Sequence, residues 1–473
     1  MENKKLSLPT KVGYGMCIAA DSIPFNLFTL FFVWFLTVAV GVPPQIAGLI
    51  AFVAVLWDGI TDPIIGGFSD KYVSEKGRRL PLMKASILPL SFMVYFLYAP
   101  FEFQNPAIVI LYYVVVTMMI RFTYTFFLVP YYALAPEITA DYGERNQLRF
   151  AALYIAYPLL MLVSSGTMWI LAWTEAEGFT ARQSWGYVGL VFSILLFIMC
   201  CIGMFIIRNC EKDSLKRAIE AQKTKVQESF IKVWGKCLRV RSYLMVFAWV
   251  IIFMIGFSML NTVFIYIMSW NAQMTFAQQG TFWIIYTLMV VATLPFTTYF
   301  CNKYGKRPTL LVAMAPTIVL SVVFFFIGIN SMAAMYVFSF FSVIGSSAFF
   351  TFYLSFAYDC VEIDEYLTGE RREGAMAALT TFANKAGAAV GLYVSGHILG
   401  MTGFDGLAAE QTDQALQGML ALGTIIPAVL FIIAYIILIR YPVSKKRFET
   451  LCVAIEKRKA GEEYSEDEFK AVL

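Results

Sequence analysis

The sequence predicts an all-α polytopic membrane protein with twelve transmembrane helices in two six-helix halves. Three observations carry this expectation. Of the 473 residues, 59% are hydrophobic and only 14% are charged, whereas soluble domains carry about 25% charged residues. Apolar runs long enough to cross a bilayer, which takes about 20 residues of helix, recur at 12–40, 46–70, 83–101, 106–132, 149–173, 184–208, 242–269, 276–300, 309–329, 332–357, 375–401 and 416–440. Basic residues fall almost entirely on alternate connections between those runs.

The chain opens with a short polar segment holding Lys4, Lys5 and Lys11, followed by a full-length apolar run with no small-residue cleavage site, so no signal peptide is expected. Lys71, Lys76, Arg78 and Arg79 follow span two, and Arg145 and Arg149 follow span four. Lys212 to Arg241 fill the central connection. Lys303, Lys306 and Arg307 follow span eight, and Arg371 and Arg372 follow span ten. On the opposite side only Arg182 appears. The positive-inside rule then places both termini and the central loop in the cytoplasm of a protein of the inner (plasma) membrane. The expected organisation is an N-terminal half over 1–208, a cytoplasmic loop over 209–241 that reads as an amphipathic helix or tether, a C-terminal half over 242–440, and a charged tail over 441–473, helical at the membrane surface. A weak internal repeat supports the division. Asp70-Lys71-Tyr72 and Lys76-Gly77-Arg78-Arg79-Leu80-Pro81 follow span two, and Asn302-Lys303-Tyr304-Gly305-Lys306-Arg307-Pro308 follows span eight. Two parallel halves of six helices are the layout of the major facilitator superfamily.

Several classes are excluded. There is no phosphate-binding loop ending in Lys-Ser/Thr and no zinc-ligand cluster, which argues against an ATP-driven pump and against an enzyme. No nucleic-acid module is present, so no nucleic-acid partner is expected. The eight cysteines are scattered, and Cys17, Cys200 and Cys201 lie in predicted helices as small apolar packers. The single histidine, His397, reads as a helix-packing residue.

Span two carries the strongest chemical signal. Asp58 and Asp62 lie four residues apart inside the run from Ile46 to Phe68, so they share a helix face one turn apart. A charge at mid-membrane costs at least ~2.5 kcal/mol, and two neighbouring carboxylates call for a shared cation or proton. The alternative is a pair neutralised by a partner helix. Three more ionisable residues lie inside spans: Asp21, Arg121 and Lys385. Lys385, flanked by Asn384 and Gly387, either faces the bundle or snorkels to the cytoplasmic end. Arg121 stays charged, so it pairs with Asp21, Asp58 or Asp62, or binds an anionic solute. Tyr124, Tyr131, Tyr132, Trp57 and Trp34 are candidates for stacking on sugar rings or for bundle packing. Asn26, Asn261 and Thr262 are further polar candidates.

Four motifs resemble one family. They are Lys11-Val12-Gly13-Tyr14-Gly15; Trp57-Asp58-Gly59-Ile60-Thr61-Asp62-Pro63; Val129-Pro130-Tyr131-Tyr132-Ala133-Leu134-Ala135-Pro136-Glu137-Ile138-Thr139, continuing to Glu144-Arg145-Asn146-Gln147-Leu148; and Tyr358-Asp359 through Glu365-Tyr366 and Gly369-Glu370-Arg371-Arg372-Glu373-Gly374 to Asn384-Lys385-Ala386-Gly387. In this order, along nearly the whole chain, they are similar to those of the glycoside-pentoside-hexuronide:cation symporters, the melibiose-permease-like branch of the major facilitator superfamily.

The resemblance implies alternating-access symport of a glycoside, pentoside or hexuronide with Na+, Li+ or H+, without a cofactor. It assigns Asp58, Asp62 and Thr125, with neighbouring Thr61, to the cation. Asp21, Asn26, Arg121, Tyr124, Tyr132 and Lys385 are the solute-binding candidates, and Asp141, Glu144, Arg145, Asp359, Glu362 and Arg371 resemble a cytoplasmic gate cluster. Leu128 and Leu153 stand where melibiose-type members carry an Asp and an Arg, so galactoside specificity is not inherited. Thr61 stands where sodium-using members often carry Asn. Arg121 lies outside the melibiose-type pattern and suggests an acidic glycoside, because Arg matches carboxylate bidentately. The partners expected are a small sugar or glycoside, a monovalent cation and the lipid bilayer, for a monomeric protein. Transport of another amphiphilic solute, or a non-transporting sensor, are the rival readings.

Overall fold

The computed structural model describes residues 5–72, 74, 77–139, 141–210, 230–460 and 469. Lys4, Lys76 and most of the central basic run, 211–229, lie outside the described residues, as does most of the tail beyond Ala460. The architecture is all-helical. Eleven of the described helices are long and apolar enough to cross a membrane.

The first span is wound irregularly. It runs as α1 (Leu8–Met16), α2 (Ala19–Asn26), a π-helical turn at Leu27–Phe31, the short α3 (Phe32–Trp34) and a second π-helical turn at Phe35–Ala39. Pro24 sits inside α2, and a proline without N–H interrupts regular α winding. Then come α4 (Pro44–Lys71), α5 (Leu80–Tyr98), α6 (Pro106–Ile138), α7 (Tyr142–Ala176) and α8 (Ala181–Ile207). Their starts are written locally. Asn105 accepts from Ala107 N at the head of α6, Asp141 accepts from Glu144 N at the head of α7, and Thr180 with Gln183 forms a capping box on α8.

The second half holds α9 (Phe230–Cys237), α10 (Arg241–Tyr266), α11 (Phe276–Tyr304), α12 (Lys306–Ile327), α13 (Met332–Thr368) and α14 (Glu373–Met401), then α15 (Asp413–Gly423), α16 (Ile425–Arg440) and α17 (Lys445–Ala460). Gly369 ends α13 in the left-handed region at φ 74°, where a residue without Cβ is unstrained. The predicted eleventh span, α14, is a 29-residue helix. It misses the apolar standard of the other spans because Asn384, Lys385, His397 and several glycines dilute it.

The chain divides into two compact units: Met1–Val226 with Met274–Thr287 and Gly396–Ala415, and Gln227–Gln273 with Leu288–Ser395 and Leu416–Leu473. In the first, α1 approaches its neighbours through glycine. A Cβ at Gly15 would lie 2.8 Å from Ala151 O on α7, and one at Gly203 on α8 would lie 2.7 Å from Gly13 O. Small residues that bring backbones together are the packing currency of helices in lipid. An aromatic cluster fills the same unit, with Trp185 stacked on Tyr98 at 5.1 Å and beside Phe35 at 5.2 Å. In the second unit Phe253 stacks on Phe349 at 3.8 Å and packs on Phe431 at 4.9 Å. There, Gly387 and Gly391 of α14 sit against α10, their Cβ positions 2.6 Å from Ile251 O and Ile255 O. This is the close helix approach expected around Lys385. All eight cysteines are free thiols.

Candidate functional site

The site in the first unit is built on α4, α6 and the start of the chain. On α4 the outward face is apolar, with Ile60 and Ile64 57% and 64% exposed, as a lipid-facing surface requires. Asp58 turns the other way and is 2% exposed. Thr125 of α6 donates its hydroxyl to Asp58 Oδ1 at 2.7 Å. Thr61, also buried, donates to the Asp58 carbonyl at 3.2 Å. Asp62 lies one turn beyond Asp58 and is half-buried. The structure therefore brings Asp58, Thr61 and Thr125 together on two packed helices.

Arg121 lies one turn before Thr125 on α6. Its Nη1 lies 4.0 Å from Asp58 Oδ2. The guanidinium also covers the Phe28 ring at 3.9 Å from the centroid, a cation–π seat, and the residue is 7% exposed. Among its three candidate acids, Asp58 is the one paired. Phe28 was not singled out from the sequence, since one phenylalanine among many apolar neighbours carries no signal of its own.

Asp21 receives two phenol hydroxyls. Tyr124 donates to its Oδ1 and Tyr132 to its Oδ2, the latter at 3.1 Å. Tyr132 is 54% exposed, so this end of the cluster is open. Asn26 donates to its own helix at Ser22 O. Of the other aromatic candidates, Trp34 is buried against Trp185 and Phe276, Tyr131 is buried against Tyr14, and Trp57 is half-buried on α4. Asn261 and Thr262 donate to the backbone of their own helix, at Phe257 O and Ser258 O. Lys385 belongs to the second unit, half-buried on α14.

The gate candidates make ion pairs or hydrogen bonds to the backbone within each unit. Glu144 binds Lys11 at 2.9 Å and accepts from Leu6 N, Asp141 caps α7, and Arg145 donates to Thr139 O. In the second unit Asp359 binds Lys306 at 2.7 Å, and Arg371 bridges Glu362 at 3.0 Å and Glu365 at 2.9 Å. The internal repeat has a matching geometry. Arg79 before α5 binds Glu137 of α6 at 2.9 Å, as Lys306 at the head of α12 binds Asp359 of α13. Arg79 further holds Asp70 at 2.6 Å. Beside Arg371, Arg372 donates to Glu370 and lowers its carboxyl pKa below the usual value.

Comparison with known proteins identifies the family and the fold. The profile of the family described as MFS/sugar transport protein matches residues 13–445. An uncharacterized symporter of Bacillus subtilis (strain 168), YnaJ, is 25% identical over 472 residues, covering 99% of both chains. The glucuronide carrier protein homolog of Escherichia coli (strain K12) is 22% identical, covering 97% of both. A putative sulfoquinovose importer of the same strain is 25% identical, covering 99% of this chain and 98% of its own. Among solved structures, the nucleoside transporter NupG superposes with a TM-score of 0.62 at 12% identity, covering 90% of this chain and 98% of that one. That likeness shows the fold alone.

Proposed function

We propose, from the premise that this chain belongs to the MFS/sugar transport protein family, that it carries a sugar or glycoside across the membrane by symport with a monovalent cation. The chain is a multi-pass membrane transporter and not an enzyme. Coupling rests on one observation: the buried Asp58 carboxylate, held by Thr125 at 2.7 Å, sits one helical turn from Asp62. Hard cations take oxygen ligands, and two carboxylates with a hydroxyl supply them. Na+, Li+ or H+ on this group relieves the repulsion between the acids and ties α4 to α6. The open Asp21–Tyr124–Tyr132 cluster beside it offers hydrogen-bonding groups for a polyol.

The relatives named symporter, glucuronide carrier homolog and sulfoquinovose importer support a sugar-class solute. Transport proceeds by alternating access, with the ion pairs of Glu144, Asp359, Glu362 and Arg371 and the hydrogen bonds of Asp141 and Arg145 rearranging at the cytoplasmic side. The alternating basic loops support cytoplasmic termini in an inner membrane. The test is flux into proteoliposomes with a panel of neutral and acidic glycosides under imposed sodium, lithium or proton gradients. Asp58→Asn with Asp62→Asn is expected to abolish concentrative uptake while leaving downhill exchange. Full accumulation by that double variant would refute the coupling site. Competition by lysolipids in place of glycosides, or binding without flux, would refute the solute class or transport itself.

A further inference from the structure

Cation coupling at Asp58 leaves the neighbouring arginine unexplained. The carboxylate that is to receive an ion already has a permanent positive charge 4.0 Å from Oδ2, while Thr125 occupies Oδ1. Both partners are buried. Two unit charges of one sign about 5 Å apart in such surroundings repel strongly enough to weaken ion binding on the order of 100-fold. Arg121 and the coupling ion are therefore competitors for one acid. Arg121 is also held in that position from below. Its guanidinium lies on the Phe28 ring and 5.9 Å from the ring centroid of Tyr124, whose hydroxyl binds Asp21 at the open end of the cluster.

We propose that Arg121 is the residue that couples solute to ion: without solute it serves Asp58 as a tethered counter-ion, and the carboxylate of an acidic glycoside draws it away, freeing Asp58 for the cation. This rests on the cation-symport reading above and specifies its solute class. A guanidinium leaves one carboxylate readily for another oxyanion, and a second carboxylate suffices, since the fork pairs bidentately with either. A neutral glycoside offers no such exchange. Linkage then requires the cation to raise affinity for the acidic glycoside by the same factor that the glycoside raises affinity for the cation.

The experiment measures binding of p-nitrophenyl β-D-glucuronide and p-nitrophenyl β-D-glucoside to the purified full-length protein, with NaCl, with LiCl, with neither, and at acidic and alkaline pH. Binding of the same ions is measured without sugar. In the wild type the coupling ion is expected to tighten glucuronide binding about tenfold or more and glucoside binding hardly at all. In Arg121→Gln the ion is expected to bind at least about tenfold more tightly without sugar, and the glucuronide should lose its dependence on the ion. Arg121→Lys should restore part of that dependence. Phe28→Leu keeps both charges and removes only the ring beneath the guanidinium. It is expected to change ion affinity in the same direction by less, and it decides the matter if Arg121→Gln does not fold. Unchanged ion affinity in the folded Arg121→Gln protein, or in Phe28→Leu where Arg121→Gln is lost, would overturn the proposal. Equal coupling of glucuronide and glucoside in the wild type would overturn it too, leaving cation symport intact. Absence of any ion dependence in the wild type would instead remove the symport reading, and this one with it.

Discussion

Tyr14 and Tyr131 stack with ring centroids 4.6 Å apart, and each hydroxyl points at the other's backbone carbonyl, Tyr131 donating at 3.2 Å and Tyr14 at 3.5 Å. The pair joins α1 to α6 beneath the Asp21 cluster, and both residues are buried. Removing the hydroxyl and removing the ring test different parts of this contact. Tyr131→Phe keeps the stack and loses one hydrogen bond, at a cost of about 1 kcal/mol. Tyr131→Ala opens a cavity and is expected to cost about 3–5 kcal/mol. Thermal unfolding in detergent should show the second variant melting well below the first. Similar melting of the two would mean that the ring contributes little.

Thr125 donates a hydrogen bond to the Asp58 side chain at 2.7 Å, and hydrogen bonds to charged groups are worth about 1.5–3 kcal/mol. If that bond orients Asp58 for the ion, Thr125→Ala is expected to raise the half-saturating cation concentration for uptake about 10–100-fold. Thr125→Ser keeps the oxygen and should stay near the wild type. Uptake measured against cation concentration separates the two, and equal curves for Ala and Ser would remove Thr125 from the site.

Much of this was legible in the chain. Spacing alone put Asp58 and Asp62 on one face, and composition and alternating charge gave the polytopic helical fold. Arg121 shows where such reading stops. Sequence fixes that a guanidinium in a span needs a partner, but three acids qualified, and only the packing of α4 on α6 decides for Asp58. Tyr14 and Tyr131 are more than a hundred residues apart, so their stack leaves no local pattern. Hydropathy is also indifferent to winding, which is why the π-helical turns of the first span were invisible beforehand. It understates α14 as well, where Gly387 and Gly391 serve close packing and lower the apolar average.

Two glycines make opposite predictions. A Cβ at Gly203 would meet Gly13 O at 2.7 Å and Cys17 Sγ at 2.8 Å, so Gly203→Ala must push α8 off α1. A loss of about 1–3 kcal/mol is expected. Gly67 on α4 has nothing within 4 Å of its Cβ position. Gly67→Ala should gain about 0.5–1 kcal/mol by restricting the unfolded chain. Thermal unfolding of the two variants should therefore move in opposite directions; no loss in Gly203→Ala would contradict the packing of α1 on α8, and a loss in Gly67→Ala would contradict the open space at Gly67.

The cytoplasmic connection after α13 predicts a pH dependence. Arg372 donates to Glu370 at 2.9 Å and holds its carboxyl below the usual value, and it also reaches the buried Asp364 at 3.2 Å. A carboxyl whose folded pKa is depressed adds stability that is complete above the unfolded pKa, about 4.3 for glutamate. As pH falls below that value the unfolded chain takes up the proton first, and the contribution fades until the folded pKa is passed. Glu370 is exposed, so the effect is small. Its sign is nevertheless fixed. Glu370→Gln should melt slightly below the wild type at neutral pH, and the gap should close on acidification through the glutamate range. A gap that widened in acid would show that Arg372 does not favour the ionised carboxylate.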